Sequence, residues 1–400
     1  SASPILNLLL ALFVGIATGA GILVAQYFGA RDRERLSGVI GNCMTLTLVA
    51  SAIIMVIGPL VTRPLLELLN TPASILDWCT DYLNIFFLGI VGFAAYNILS
   101  GVLRGLGDSL SALVFLIVAT VLNIGLDLWF VAGLRLGVAG VALATVIAQA
   151  ISAVLCFFKL FRMHDVFTLR FSHLRPVREY VGKIIRLGVP SGVTQAIFST
   201  AMLVVQSLTN SFGEAVIACN VIVMRVDGFA MMPNFTFGQA MTTYTGQNVG
   251  AGKPDRVRTG AKQGTLMALA CAAALTLCIL LFGRSLMGIF TDTAELVEMS
   301  YHMMCILAVG YMAVTQSLSG VMRGAGDTMT PMWISIITTV VLRVPIAYGL
   351  AFLTRSADYP VGRPESIFIS LLASWVLGAL ITLVAYRAGR WRKRIPAPKA

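Results

Sequence analysis

The chain has 400 residues, of which 58% are hydrophobic and only 12% charged, with a mean hydropathy of +0.86 and a net charge of +11. A soluble domain carries roughly twice that share of charge, so the composition excludes a water-soluble globular protein. The positive balance has a ready source in the cytoplasmic loops of a membrane protein, and nucleic acid is not an expected partner.

Apolar runs of about 20 residues recur along the chain, each long enough to cross a hydrocarbon core about 30 Å thick. The short alternating segments of an outer-membrane barrel are absent. The expected fold class is an all-α polytopic membrane protein. In chain order the spans are placed at 5–25, 37–59, 81–103, 109–132, 137–159, 183–212, 216–244, 258–283, 298–322, 329–353 and 366–388. This divides the chain into an N-terminal bundle at 1–160, a polar linker at 161–182, a C-terminal bundle at 183–388 and a basic tail at 389–400.

Assigning the linker and tail to the cytoplasm and alternating sides puts 22 of the 29 Lys and Arg in inside segments. Only Arg63, Arg135, Arg284, Arg355 and Arg363 fall outside, and Arg225 and Arg343 remain within spans. This asymmetry fixes the expected orientation.

Residues 99–109, LSGVLRGLGDS, return at 318–328 as LSGVMRGAGDT, with eight of eleven positions identical at an offset of 219. Gln26, Gly29, Ala30 and Arg35 likewise match Gln247, Gly250, Ala251 and Arg256 at an offset of 221. The second half has a whole span ahead of its copy. A helix of the first half is therefore expected to precede this sequence, and the full unit is expected to be two parallel repeats of six helices, the first reduced here to five. In each Arg-Gly-x-Gly-Asp turn, a glycine supplies positive φ. Arg104 or Arg323 closes one helix, and Asp108 or Asp327 caps the next. These residues read as structural.

The paired Gly-Asp turns, the Gln-x-x-Gly-Ala loops, NIGLDLWFVAGLRLGVAGVALAT at 123–145 and LGVPSGVTQAIFSTAMLVVQSLTNSFG at 187–213 resemble the multidrug and toxic compound extrusion (MATE) family, in its prokaryotic, DinF-like form. The resemblance spans the chain. It implies two six-helix bundles forming a V around a central cavity, and cation-coupled export of amphipathic, often cationic, organic compounds. No enzyme activity and no cofactor are expected, the coupling ion being Na⁺ or H⁺. The protein is expected to be a monomer in the cytoplasmic membrane. The alternative is a flippase for lipid-linked precursors or polysaccharides from the same superfamily. No HExxH or GxSxG motif supports an intramembrane enzyme. The seven cysteines and three histidines show no metal-type spacing.

Ionisable groups inside spans are functional candidates because the bilayer makes them costly. Asp127 lies one turn from Asn123 on the same helical face, which offers hard oxygen ligands to Na⁺ or a carboxyl able to carry H⁺. The resemblance adds Thr145 and Asn97 to this cation-coupling cluster. At offset 219 its equivalents in the second half are Leu342 and Ile346, so only one half keeps the acid. Matched members often add an acid on the first helix, outside this sequence. Gln195 stands where other members carry an acid in the seventh helix, so coupling through the C-terminal bundle is not expected. Gln195, Phe198, Met202 and Gln206, with Asn210 on the same stripe, are candidates for a substrate cavity wall, joined by Asp227. Pro190 and Gly192 are expected to break their helix. Arg225 and Asp227, two apart, should point to different faces, and Arg343 is expected to satisfy carbonyls freed by Pro345.

Overall fold

The computed structural model describes residues 3–68 and 73–394, and among them every regular element is helical. The helices are α1 (Ser3–Gly29), α2 (Arg33–Leu68), α3 (Ala73–Leu88), α4 (Ile90–Gly105), α5 (Ser109–Asp127), α6 (Gly137–Phe161) and α7 (Arg178–Ser211). They continue as α8 (Glu214–Gly250), α9 (Pro254–Gly288), α10 (Ala294–Ala308), α11 (Thr315–Gly324), α12 (Met329–Ile336), α13 (Arg343–Leu353) and α14 (Glu365–Ala388). Nine stretches among the described residues are long and apolar enough to cross a membrane. The bent pairs α3–α4, at 53°, and α10–α11, at 41°, bring the number to eleven. All eleven expected spans are therefore present as helices.

Several helices outrun the bilayer. At 1.5 Å per residue, the 36 residues of α2 and the 37 of α8 reach well beyond a core of about 30 Å. Their apolar surface faces outward: on α2, Leu48, Ile53, Val56 and Leu60 are all exposed, as lipid contact requires. With lipid as apolar as the core, helices are held by close packing of small residues rather than by the hydrophobic effect.

That packing explains the duplicated phrase. The chain forms two compact units, Ser1–Val193 and Thr194–Ala400, dividing inside α7. In the first, a Cβ added to Gly101 would lie 2.8 Å from the Ala17 carbonyl oxygen, and one on Gly105 2.7 Å from that of Gly21. In the second, the same additions at Gly320 and Gly324 would overlap the carbonyl oxygens of Gly238 and Thr242. Each phrase thus contains a Gly-x-x-x-Gly pair that brings α4 onto α1, or α11 onto α8, at backbone distance. The turns that follow behave as expected. Gly107 and Gly326 both have φ of 92°. Asp108 accepts from the Ser111 amide at 3.0 Å, and Asp327 accepts from the Thr330 amide at 3.3 Å.

Pro190 does not end α7, which runs unbroken from Arg178 to Ser211. Gly188 and Gly192 instead let the first half of α7 lie against Gly15 and Gly19 of α1, in the first unit.

The linker is strapped to α2 by buried polar groups. Asn42, fully buried, donates to the His173 carbonyl at 3.2 Å and accepts from the Val177 amide at 2.7 Å. Thr45 donates to the Leu174 carbonyl at 2.6 Å, and Ser37 accepts from the Thr168 amide at 3.1 Å. Asn42→Ala leaves a linker donor and acceptor without partners, and should cost about 2 kcal/mol. Limited trypsin digestion of the solubilised protein should then cut at Arg170 and Arg175 several times faster than in wild type, while unchanged cleavage would show that the strap holds nothing.

Candidate functional site

The site in the first unit is built by α5, α6 and α3. The spacing of Asn123 and Asp127 places them one turn apart on α5, and the Asn123 amide reaches Thr145 Oγ1 on α6 at 3.4 Å. Thr145 in turn donates to the Val141 carbonyl at 3.0 Å, which anchors it against α6. Asp127 is the last residue of α5. The chain then widens into a π-helical segment, Leu128–Gly133, before the turn into α6. Such segments loosen the backbone ladder and recur at functional sites.

Asp127 Oδ1 is buried and has no hydrogen-bond partner among the described residues. Two further buried acceptors in the same unit, Asn84 Oδ1 and Gln149 Oε1, are equally unpartnered. Gln149 lies one turn beyond Thr145 on α6, and Asn84 sits on α3, which packs against α6. Tyr82, also on α3, is within electrostatic reach of Asp127. A carboxylate oxygen held out of water without a donor is costly, and a bound cation or a proton removes that cost. Tyr82 had no signal in the sequence beyond being a polar residue within an apolar run.

Asn97, on α4, makes no hydrogen bond to Asn123, Asp127 or Thr145 among the described residues. Its amide donates to the Phe93 carbonyl of its own helix at 2.9 Å. Its neighbour Tyr96 bonds the Ala112 carbonyl, eleven residues before Asn123 on α5.

The second unit treats its acid differently. Asp227, on α8, accepts a hydrogen bond of 2.8 Å from the Tyr311 hydroxyl. Tyr311 lies in the 3₁₀ segment Val309–Met312 that separates α10 from α11. Arg343, only 8% exposed, provides an opposing charge within electrostatic reach. This guanidinium makes no hydrogen bond to carbonyls near Pro345, and its Nε is unpartnered among the described residues. The backbone upstream is instead accommodated by a π-helical segment, Ile337–Leu342. Arg225 is exposed, on a different face from Asp227.

Of the remaining cavity candidates, Gln195 and Met202 are exposed and Phe198 is half-buried. Gln206 is engaged inside the unit, donating to Asn210 at 2.9 Å and accepting from Asn220 at 3.5 Å. Among the described residues no group of three or more His, Cys, Asp or Glu could hold a metal ion.

A profile of the MatE family matches residues 1–129 and 190–349. The probable multidrug resistance protein YoeA of Bacillus subtilis is 29% identical over 381 residues, covering 92% of this chain and 82% of the relative. The probable multidrug resistance protein NorM of Thermotoga maritima is 25% identical over 387 residues, covering 95% and 82%. Among solved structures, an outward-facing multidrug resistance MATE transporter of the MOP superfamily superposes with a TM-score of 0.90 at 23% identity, over 98% of this chain and 86% of that one. A MOP superfamily transporter from Pyrococcus furiosus, described as having a binding pocket of reversed polarity, gives 0.88 at 22% identity, over 98% and 87%. These likenesses establish the fold.

Proposed function

The chain belongs to the MATE family of multi-pass membrane transporters, and from that premise we propose that it exports amphipathic, cationic organic compounds across the cell membrane in exchange for Na⁺ or H⁺. The coupling ion occupies the first unit at Asp127, with Asn123 and Thr145 as neighbouring oxygen ligands. The observation that carries this reading is the buried Asp127 oxygen without a donor, beside an amide and a hydroxyl that already face one another. The relatives named for multidrug resistance support the substrate class.

Ion and substrate favour different conformations of the transporter, so the downhill entry of one drives the exit of the other. Asp227 has a tyrosine donor and a nearby guanidinium, and serves as a structural and electrostatic element rather than as the exchanging site. The linker and the C-terminal tail lie in the cytoplasm, in keeping with the 22-to-5 distribution of basic residues. The protein works as a monomer and requires no cofactor.

The test is transport of a fluorescent cationic dye in proteoliposomes with imposed ion gradients. Collapsing one of the two gradients, Na⁺ or H⁺, should stop efflux, and collapsing the other should leave it largely intact. Dye movement that survives the loss of both gradients would remove coupling from the proposal.

A further inference from the structure

The duplication supplies an internal comparison at the turn between the first two helices of each half. Ala30, Arg31 and Asp32 amides donate to the carbonyls of Gln26, Phe28 and Tyr27 at 2.9, 3.0 and 3.1 Å. Ala251, Gly252 and Lys253 repeat the pattern to Gln247, Val249 and Asn248 at 2.9, 3.0 and 2.9 Å. The two turns are the same backbone structure, and the residue at the left-handed position differs. In the second half it is Gly252, with φ of 66°; in the first it is Arg31, with φ of 55°. Glycine occupies that region without steric strain, whereas a side chain there is disfavoured. An arginine held where the sister turn uses glycine is a strained residue whose side chain has a reason to be there.

The surroundings indicate the reason. Arg31 borders a cavity of about 270 Å³ together with Tyr27, Phe28, Arg33, Leu36 and Asp165. Among the described residues the Arg31 guanidinium makes no hydrogen bond or ion pair. Arg33 is oriented by the linker through the His164 carbonyl and the Thr168 hydroxyl, the latter at 3.0 Å. The result is a recess with two guanidinium groups, one carboxylate and an aromatic and aliphatic wall. At offset 221 the sister turn has Gly252 and Pro254 where this one has Arg31 and Arg33, so it offers neither guanidinium.

We propose that the recess at Arg31, Arg33 and Asp165 binds a phosphate ester that carries an ammonium group, the headgroup of a phosphatidylethanolamine in the adjoining leaflet. Planar guanidinium groups match phosphate oxygens in pairs. Asp165 disfavours a purely anionic headgroup and receives the ammonium, and the half-buried Phe28 meets the upper acyl chain. Basic recesses at the cytoplasmic ends of membrane helices are suited to such headgroups. This site is distinct from Asp127 and does not depend on which ion drives export.

The experiment uses the full chain in detergent. Binding is read by native mass spectrometry and by the rise in melting temperature as phosphatidylethanolamine, phosphatidylglycerol, glycerophosphoethanolamine or inorganic phosphate is added. Phosphatidylethanolamine should bind more tightly than phosphatidylglycerol. Arg31→Gly, which installs the residue of the sister turn, should weaken its binding by about tenfold or more. The lipid-free melting temperature of that variant should equal or exceed wild type, which separates lost binding from lost folding. Asp165→Asn should erase the preference between the two lipids. Undiminished phosphatidylethanolamine binding by Arg31→Gly would overturn the site. Equal stabilisation by inorganic phosphate at matched concentration would make it a free-anion site and overturn the lipid assignment.

Discussion

Replacing Asp127 with asparagine is expected to bring gradient-driven dye efflux down to the level of membranes without the transporter, a loss of at least about tenfold, while the protein still folds and inserts. Asparagine keeps the size of the side chain and one carbonyl oxygen but removes the charge that a cation or proton must neutralise. Since burying a neutral amide is easier than burying a carboxylate, the variant should also melt at a temperature equal to or above that of wild type. This combination of activity lost and stability kept distinguishes an exchanging group from an architectural one. Glutamate at the same position should retain part of the efflux. A variant that transports normally would take Asp127 out of the mechanism, and a variant that fails to accumulate would assign it to the fold.

Asp227 provides the contrast on the same protein. Its oxygen is bonded by Tyr311 at 2.8 Å, and Arg343 stands nearby as a buried counter-charge. Asparagine there would remove the charge that opposes the buried guanidinium of Arg343, and a buried charge without a counter-charge is costly. The expected signature is inverted, with stability falling first and transport falling in proportion to the folded protein that remains. The two acids are thus separated by their partners rather than by their depth, and it is the unpartnered one to which the proposed coupling role is given.

The extent to which these features were legible in the sequence depended on how local they were. The eleven spans rest on apolar run length, and the caps Asp108 and Asp327 act within three residues of themselves, so both could be read directly. The duplicated phrase was visible, but its main structural content was not. The spacing of Gly101 to Gly105 and of Gly320 to Gly324 is a close-packing signal, separate from the turn chemistry beside it. The bends within α3–α4 and α10–α11 are marked only by Gly89 and Gly310, and single glycines of that kind also occur inside the unbroken helices. The partner of Asp227 is Tyr311, 84 residues away, a contact that no periodicity reveals. For a related reason the surroundings of Asn97 are not legible: a motif gives a residue's position along its own helix, and the register between helices is fixed only by packing such as Tyr96 on Ala112.

Gly320 carries the largest expected effect on stability. It faces the backbone of Gly238 where α11 crosses α8, and a methyl group added there would overlap the Gly238 carbonyl oxygen. The obstacle is main chain rather than a flexible side-chain end, so relief requires the two helices to move apart. Separation would also disturb Gly324 against Thr242 and the packing around Met241, Val321 and Met322. Gly320→Ala should therefore destabilise by about 3 kcal/mol or more, at the upper end of overpacking costs. For a unit of this size that corresponds to a fall in apparent melting temperature on the order of 10 °C. Gly349→Ala is the matched control, because that glycine also lies inside a helix but has no atom within 4 Å of the added carbon. Its change should be neutral or stabilising by up to about 1 kcal/mol, from helix propensity alone. If Gly320→Ala melted with the control, the close approach of α8 and α11 would not be what holds the second unit together.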